Sequence, residues 1–434
     1  MATSNFLKQQ NKKKCSYCGN EYTKEDMIKK GILVFKGSTL DENGEPVRIC
    51  SNCIKACNEI YQANINKITS KNGVLDVSSM TPSKIKHHLD EWVLDQERAK
   101  TDISTEIYNQ FKRLKRIADN PDANKNLRIE KSNMILIGPT GVGKTELVRS
   151  LSALLDLPYT IQDATSFTSA GYIGRDVDEI LKDLYNAAGK NIEKAQKGIV
   201  FLDEFDKLRK SNTRTGQKDV GGESVQQALL KIIEGGEFDV KKDKMGSSTF
   251  KFDTSNVLFI LGGAFVGIDE IVNKRLKKNK NAPANIGFGG SPEAKKPVDY
   301  NSIAEDICQE DLKEFGIIPE VLGRCPVITT FKELSEETLV RILTEPKHAI
   351  VKQYQALFSM DDVDLEFTEE ALKEIAKRAK KRKIGARALR SELQEILKTA
   401  MFEVPDMDNV RKVLVTVDDD KIVCKYENAI SEEM

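Results

Sequence analysis

The chain has 434 residues, too many for one ordinary hydrophobic core, so two or three domains are expected. Lys plus Arg and Asp plus Glu both total 67, and a chain without net charge is not drawn as a whole onto nucleic acid or an anionic membrane. No run of about twenty apolar residues occurs, and Met1-Ala2-Thr3-Ser4-Asn5 leads into lysines without the apolar core of a signal peptide, so a soluble, cytoplasmic protein is expected.

Of eight cysteines, Cys15, Cys18, Cys50, Cys53 and Cys57 cluster near the start, while Cys308, Cys325 and Cys424 are scattered. That distribution fits metal binding better than a disulfide framework. Cys15-Ser16-Tyr17-Cys18-Gly19 and Cys50-Ser51-Asn52-Cys53 are two Cys-x-x-Cys pairs, and four thiolates point to Zn²⁺. The second pair opens a helical pattern with Ile54, Cys57 and Tyr61, which makes Cys57 a packing residue and not a ligand. Between the pairs, Ile32-Leu33-Val34-Phe35 and Val47-Arg48-Ile49 read as strands. So small a module has little core of its own, and metal binding would supply much of its folding energy. His87, His88 and His348 lie outside it. The module is expected over residues 1–61, followed by a polar linker over 62–80 rich in Asn, Lys and Ser.

From residue 81 to 331, apolar strands alternate with amphipathic helices, the pattern of a parallel sheet flanked by helices. Met134-Ile135-Leu136-Ile137 is a buried strand, and directly after it comes Gly138-Pro139-Thr140-Gly141-Val142-Gly143-Lys144-Thr145. A glycine-rich turn between a strand and a helix aims backbone N–H groups and the helix dipole at one point, where they hold a polyphosphate. Lys144 supplies a point charge to the outer phosphates and Thr145 a hydroxyl to Mg²⁺. A second apolar strand, Ile199-Val200-Phe201-Leu202, ends in Asp203-Glu204, where a parallel strand delivers carboxylates to the same sheet edge. Asp203 suits the Mg²⁺ shell, and Glu204 suits orienting and deprotonating the water that attacks the γ-phosphate. The expected chemistry is hydrolysis of a nucleoside triphosphate, ATP.

Val257-Leu258-Phe259-Ile260-Leu261 is a further buried strand ending in Gly262-Gly263. After Phe331, Ser335-Glu336-Glu337 opens a helix, Pro346 starts the next, which carries Ile350, Tyr354 and Phe358, and Val363, Leu365 and Phe367 alternate as a strand. Thr368-Glu369-Glu370 caps another helix and Val413-Leu414-Val415 closes the chain as strand, so residues 332–434 form a small second domain.

Taken together, the cysteine module, the phosphate cradle, Gly171-Tyr172-Ile173-Gly174 and the Asp203-Glu204 strand resemble the ClpX family, the AAA+ unfoldases that feed the ClpP peptidase. The likeness spans nearly the whole chain and includes Gln226-Gln227-Ala228-Leu229-Leu230-Lys231, Gly262-Gly263-Ala264-Phe265, Ile286-Gly287-Phe288, Ile318-Pro319-Glu320 with Gly323-Arg324, and Gly385-Ala386-Arg387. It implies an α/β fold, an AAA+ P-loop parallel sheet with a smaller α/β C-terminal domain, preceded by a small zinc-binding module with four cysteine ligands. It implies an ATP-dependent unfoldase that threads proteins through a homohexameric pore into ClpP, with adaptor proteins as further partners.

By the same resemblance, Gly171, Tyr172, Ile173 and Gly174 form the loop whose aromatic grips the translocating chain, and Val220 lies in a second pore loop. Arg324 is similar to the finger that reaches a neighbouring subunit's γ-phosphate, and Arg387 to the small-domain arginine that senses nucleotide. Val93 and Leu94 fall in the adenine-contacting segment, and Ile286-Gly287-Phe288 resembles the loop that docks on the peptidase. Three departures stand out. Arg175 follows the Tyr172 loop where the family usually has an acid, which is expected to change the charge of the pore mouth. Asp95 replaces the usual glycine beside the base. The segment Glu237-Phe238-Asp239-Val240-Lys241-Lys242-Asp243-Lys244 replaces the family's basic Arg-Lys-His loop, so a different client set is expected.

Two other readings compete. One keeps the motor and drops the peptidase, giving a remodelling chaperone. The other, from a different class, is a zinc-bearing nucleic-acid binder with an ATP switch, and balanced charge with no basic stripe beside the cysteines weighs against it.

Overall fold

In a computed structural model of the chain, the described residues are 13–23, 29, 32–40, 46–58, 80–120, 127, 129–167, 175–210, 222–241, 249–279, 299–419 and 421–428. The chain divides into two compact units, Met1–Asp76 and Val77–Met434. The expected linker over 62–80 falls almost entirely outside the described residues.

In the first unit β1 (Lys13–Lys14) pairs antiparallel with β2 (Glu21–Tyr22), and β3 (Val34–Leu40) with β4 (Pro46–Cys50). Residues 51–58 are helical. The core is Cys15, Tyr22, Ile32, Cys50 and Cys53, packed by Val34 and Ile49. Most of these buried side chains are sulfur donors, so apolar burial alone gives this unit little stability.

The second unit is built on β5 (Met134–Ile137), β6 (Tyr159–Asp163), β7 (Ile199–Asp203), β8 (Glu237–Lys241), β9 (Thr249–Asp253), β10 (Leu258–Gly263) and β11 (Val327–Thr330). Five of these form one sheet in the order β11-β5-β10-β7-β6, every pair parallel. Parallel strands need crossovers, and helices supply them on both faces, which is why β5 and β10 are buried along their whole length. All five strands end at one sheet edge, so the residues after each of them converge there. β8 and β9 stand apart as an antiparallel hairpin.

Apolar residues from Ile135 to Cys325 form one core, and those from Leu339 to Val415 form another. The second surrounds a three-stranded sheet of β12 (Asp364–Phe367), β13 (Val410–Asp418) and β14 (Lys421–Asn428), with β13 central. The helix expected from Pro346 begins at Ile350, because Ala349 is extended and Pro346–Ala349 forms a turn. β14 extends the chain beyond the expected last strand, and its alternating Ile422, Cys424 and Tyr426 cover the core's edge. Among the described residues no helix is long and apolar enough to cross a membrane.

Candidate functional site

β5 feeds the glycine-rich turn, and Gly143 then caps the helix Lys144–Leu155 from a left-handed conformation. Gly141 has φ +78°, and a Cβ there would lie 2.2 Å from the Ile384 carbonyl oxygen. On the facing segment Gly385 has φ +60°, and its Cβ would lie 2.7 Å from the Thr140 carbonyl oxygen. Neither position admits a side chain. The two backbones therefore touch, with the Ala386 N–H donating to the Gly141 carbonyl at 3.0 Å. This contact sets Arg387, the first residue of the helix Arg387–Glu403, over the cradle.

Lys144 is buried, and its Nζ donates to the carbonyls of Gly138 at 2.5 Å and Pro139 at 2.9 Å. Burial pushes its ammonium down to about 8, against the pull of Asp203 and Asp206 and with Arg387 adding to the depression. The Thr145 hydroxyl donates to Asp203 Oδ2 at 3.0 Å, and Asp203 Oδ1 accepts the Glu204 N–H at 2.9 Å. Glu204 is exposed with φ +56° and stands just beyond the strand, which Asp203 ends. Buried Asp206 accepts from the N–H groups of Ala264 at 3.3 Å and Phe265 at 3.2 Å, tying the end of β10 to the turn after β7.

A cavity of about 1060 Å³ joins these groups. It is lined by residues 140–146, Asp203, Glu204, Arg387 and Arg390, and by an apolar set including Trp92, Val93, Leu94, Leu334, Ile342 and Ile350. The polar groups suit a polyphosphate and the apolar ones a flat base. A hydroxyl and a carboxylate side by side at the cradle are also the hard oxygen donors that Mg²⁺ takes. Val93 packs on the cradle, since a Cβ on Gly143 would lie 3.2 Å from its Cγ1. Trp92 packs against His348 with ring centres 4.4 Å apart and planes inclined at 59°. Sequence reasoning placed Trp92 only as part of the segment with Val93 and Leu94, and it missed the parts played by Leu334, Ile342, His348 and Arg390, which carry no motif and meet only through the fold.

Asp95, at φ +54°, occupies a backbone conformation that explains a glycine elsewhere in the family. Here its carboxylate accepts from the Thr338 hydroxyl at 2.6 Å and from Arg341 at 3.1 Å. Next to it, the Gln96 carboxamide makes a pair of hydrogen bonds with the Lys332 backbone, donating to its carbonyl at 2.9 Å and accepting its N–H at 2.8 Å. The segment beside the expected base site is thereby stitched to residues 332–341.

Arg324 does not line the cavity. It ends the helix Pro319–Arg324 just before β11, its carbonyl accepts from Asn133 before β5 at 2.9 Å, and its side chain pairs with Glu234 at 3.2 Å. β5 and β11 run parallel, so Arg324 sits at the start of the strands and its own cradle at their ends. The expected pore residues Gly171, Tyr172, Ile173, Gly174 and Val220, and the docking residues Ile286, Gly287 and Phe288, lie outside the described residues. The charge of Arg175 is paired with Glu179 and Asp183, within its own domain.

In the first unit the sulfurs of Cys15, Cys18, Cys50 and Cys53 all lie within 4.8 Å of one another. The Cys15–Cys53 and Cys18–Cys50 separations are both 3.9 Å. Thiolates about 2.3 Å from a tetrahedral zinc stand about 3.8 Å apart, whereas a disulfide needs about 2 Å. The four cysteines fit Zn²⁺. The Cys50 N–H donates to Cys15 Sγ at 3.3 Å and the Tyr22 hydroxyl to Cys50 Sγ at 3.6 Å, which orients the sulfurs. Burial works against ionising Cys15, but backbone N–H groups of Cys18, Cys50 and Tyr17 outweigh it and bring the thiol to about 6. Cys57 is not part of the cluster.

Residues 129–328 match the AAA domain (Cdc48 subfamily), and residues 334–416 match the C-terminal D2-small domain of ClpB protein. Over 408 residues the chain is 39% identical to the ATP-dependent Clp protease ATP-binding subunit ClpX of Treponema denticola, an alignment that covers 92% of either chain.

Proposed function

The chain belongs to the ClpX family and is an ATPase, and from that premise we propose that it unfolds proteins by pulling them through the pore of a homohexamer and delivers them to a ClpP-type peptidase. The observation that carries the reading is the convergence of the cradle, the Asp203-Glu204 pair and Arg387 on one cavity beside the apolar segment at Val93 and Leu94.

In this reading the backbone N–H groups of residues 138–143 and the helix behind them hold the phosphates, and Lys144 leaves its two carbonyls to pair with the outer ones. Thr145 and Asp203 would hold Mg²⁺, which when bound would neutralise charge on the phosphate oxygens. Glu204 orients the attacking water and takes its proton, and Arg387 from the same chain draws the small domain onto the nucleotide. Arg324, placed at the far edge of its own sheet, serves the site of the next subunit, which calls for head-to-tail contacts that close into a ring.

Tyr172 grips the client and Val220 belongs to a second loop lining the pore. Ile286, Gly287 and Phe288 dock on the peptidase, where several weak contacts around a ring add up. The zinc module over 1–61, the linker over 62–80, the large domain over 81–331 and the small domain over 332–434 are the proposed divisions. The cytoplasm is the proposed compartment, with client proteins and adaptors as partners and neither nucleic acid nor membrane.

The test combines purified protein, ATP-Mg²⁺, a ClpP peptidase and a fluorescent folded client with an unstructured tail. Wild type is expected to abolish client fluorescence and release peptides. Tyr172→Ala is expected to fail at unfolding while ATP consumption continues, and Phe288→Ala to unfold without handing over to the peptidase. ATP hydrolysis with every client left folded would refute the proposal.

A further inference from the structure

Arg175 is the first described residue after the Tyr172 loop and Phe167 the last before it, and the two form a parallel bridge, with the Arg175 N–H donating to the Ser166 carbonyl at 3.2 Å. Phe167 is buried in the main core, and the Arg175 guanidinium lies 5.4 Å from the centre of its ring. All three guanidinium nitrogens are engaged. Nε donates to Glu179 at 2.9 Å, Nη1 to Gln162 Oε1 at 2.7 Å and Nη2 to Asp183 at 2.5 Å. Gln162 Nε2 donates to the same Asp183 carboxylate at 3.0 Å, so Gln162, Arg175 and Asp183 close a triangle. One side chain thus joins the end of β6, the helix Glu179–Ala187 and both sides of the loop stem.

The β6 end is next to the nucleotide chemistry. Gln162 precedes Asp163, which pairs in register with Asp203 of β7, and Asp203 accepts the Thr145 hydroxyl. A continuous chain of contacts therefore runs from the cradle through β7 and β6 to the loop stem. An acid at 175 could not complete it, since a carboxylate donates nothing and would face Glu179 and Asp183 as a like charge. The charge at 175 sits on a half-buried side chain and is taken up by Glu179 and Asp183, which makes it a strut and not a free charge offered to the client.

We propose that Arg175 is a positioning residue that transmits movement at the nucleotide site to the client-gripping loop by locking β6, the following helix and the loop stem into one body. The proposal rests on the reading of the Tyr172 loop given above. Force applied through an unanchored stem would be absorbed by the stem, so stable clients should be affected most.

The full-length protein is tested with ATP-Mg²⁺ on a folded fluorescent client and on the same client unfolded beforehand, using Arg175→Ala, Asp183→Ala, the double variant, Arg175→Lys and Tyr172→Ala. Arg175→Ala is expected to slow unfolding of the folded client about tenfold, the scale of an ordinary coupling energy. Its processing of the unfolded client, and its kcat and KM for ATP without client, should stay within about twofold of wild type. The double variant should be no slower than either single one, because both break the same triangle. Arg175→Lys keeps the charge without the fork and should fall between wild type and Arg175→Ala. If Arg175→Ala loses basal hydrolysis by misfolding, Arg175→Lys decides, and its unfolding the client at the wild-type rate overturns the proposal. Tyr172→Ala inactive with Arg175→Ala normal overturns the strut alone. Tyr172→Ala unfolding normally overturns the loop reading and the strut with it.

Discussion

The Thr145 hydroxyl donates to Asp203 across 3.0 Å, joining the first turn after the cradle to the end of a different strand. One oxygen of Asp203 also accepts the Glu204 N–H, so the pair fixes where the exposed Glu204 starts. Thr145→Val removes the hydroxyl at little cost in volume. It should lower ATP turnover about tenfold or more and raise the Mg²⁺ concentration needed for half-maximal rate, while Thr145→Ser restores both. A Mg²⁺ titration of the ATPase rate is the measurement, and an unchanged midpoint in Thr145→Val would remove Thr145 from the metal site.

Glu204→Gln keeps size and polarity but cannot accept a proton. Hydrolysis should fall about a thousandfold with nucleotide affinity nearly unchanged. Equilibrium binding beside single-turnover hydrolysis separates the two, and turnover near wild type would exclude Glu204 as the base.

Burial holds the Lys144 ammonium near 8, and an anionic phosphate favours its charged form, so binding raises that value. Below about 8 the free protein already carries the proton, and affinity is flat. Above it a proton must be taken up, and nucleotide affinity should drop by up to about tenfold per pH unit. Lys144→Arg stays charged and should show no such slope. Dissociation constants measured across this range decide, and a flat wild-type profile would count against the buried ammonium.

Gly385→Ala places a methyl against the Thr140 carbonyl oxygen, at a positive φ. The segment before Arg387 should lift from the cradle, weakening nucleotide binding about tenfold, while the separate cores keep the melting temperature within a few degrees. Trp92 is the single tryptophan and lines the cavity, so its fluorescence reports binding directly. Unaltered affinity would mean that the backbone contact has no part in holding nucleotide.

Chelation should unfold the first unit and release one Zn²⁺ per chain, since metal binding of about 10 kcal/mol or more exceeds what so small a core supplies. Cys15→Ser or Cys50→Ser should lose the metal, and Cys57→Ser should keep it. Metal analysis with hydrogen exchange over residues 13–58 checks this, and full metal content in Cys15→Ser would break the assignment.

The parts of the site that reside in contiguous residues were legible in the sequence. Gly138–Thr145, Asp203-Glu204 and the two cysteine pairs announce themselves because turn geometry and ligand spacing are local constraints. The parallel sheet was legible too, as apolar runs such as Leu258–Leu261 that allow no wet face. The rest depends on distant partners. Nothing near Trp92 announces His348, and nothing near Asp95 announces Thr338, because those pairs exist only once the two distant stretches of chain fold against each other. The helix after Pro346 starts late because Ala349 is extended, which a pattern of apolar spacing does not register. Arg175 marks the same limit, since its type suggested a free charge and its partners Gln162 and Asp183 tie it to its own domain.

The placement of Arg324 at one sheet edge and of the cradle at the other gives each chain a front and a back. If each site needs the Arg324 of another copy, as proposed, two copies meeting cradle to cradle would leave both arginines idle, whereas a closed head-to-tail circuit would leave none spare. If Arg324 serves the next subunit as proposed, a copy lacking only that side chain would silence a neighbour and spare itself, so the damage would read out one position away from where it was made.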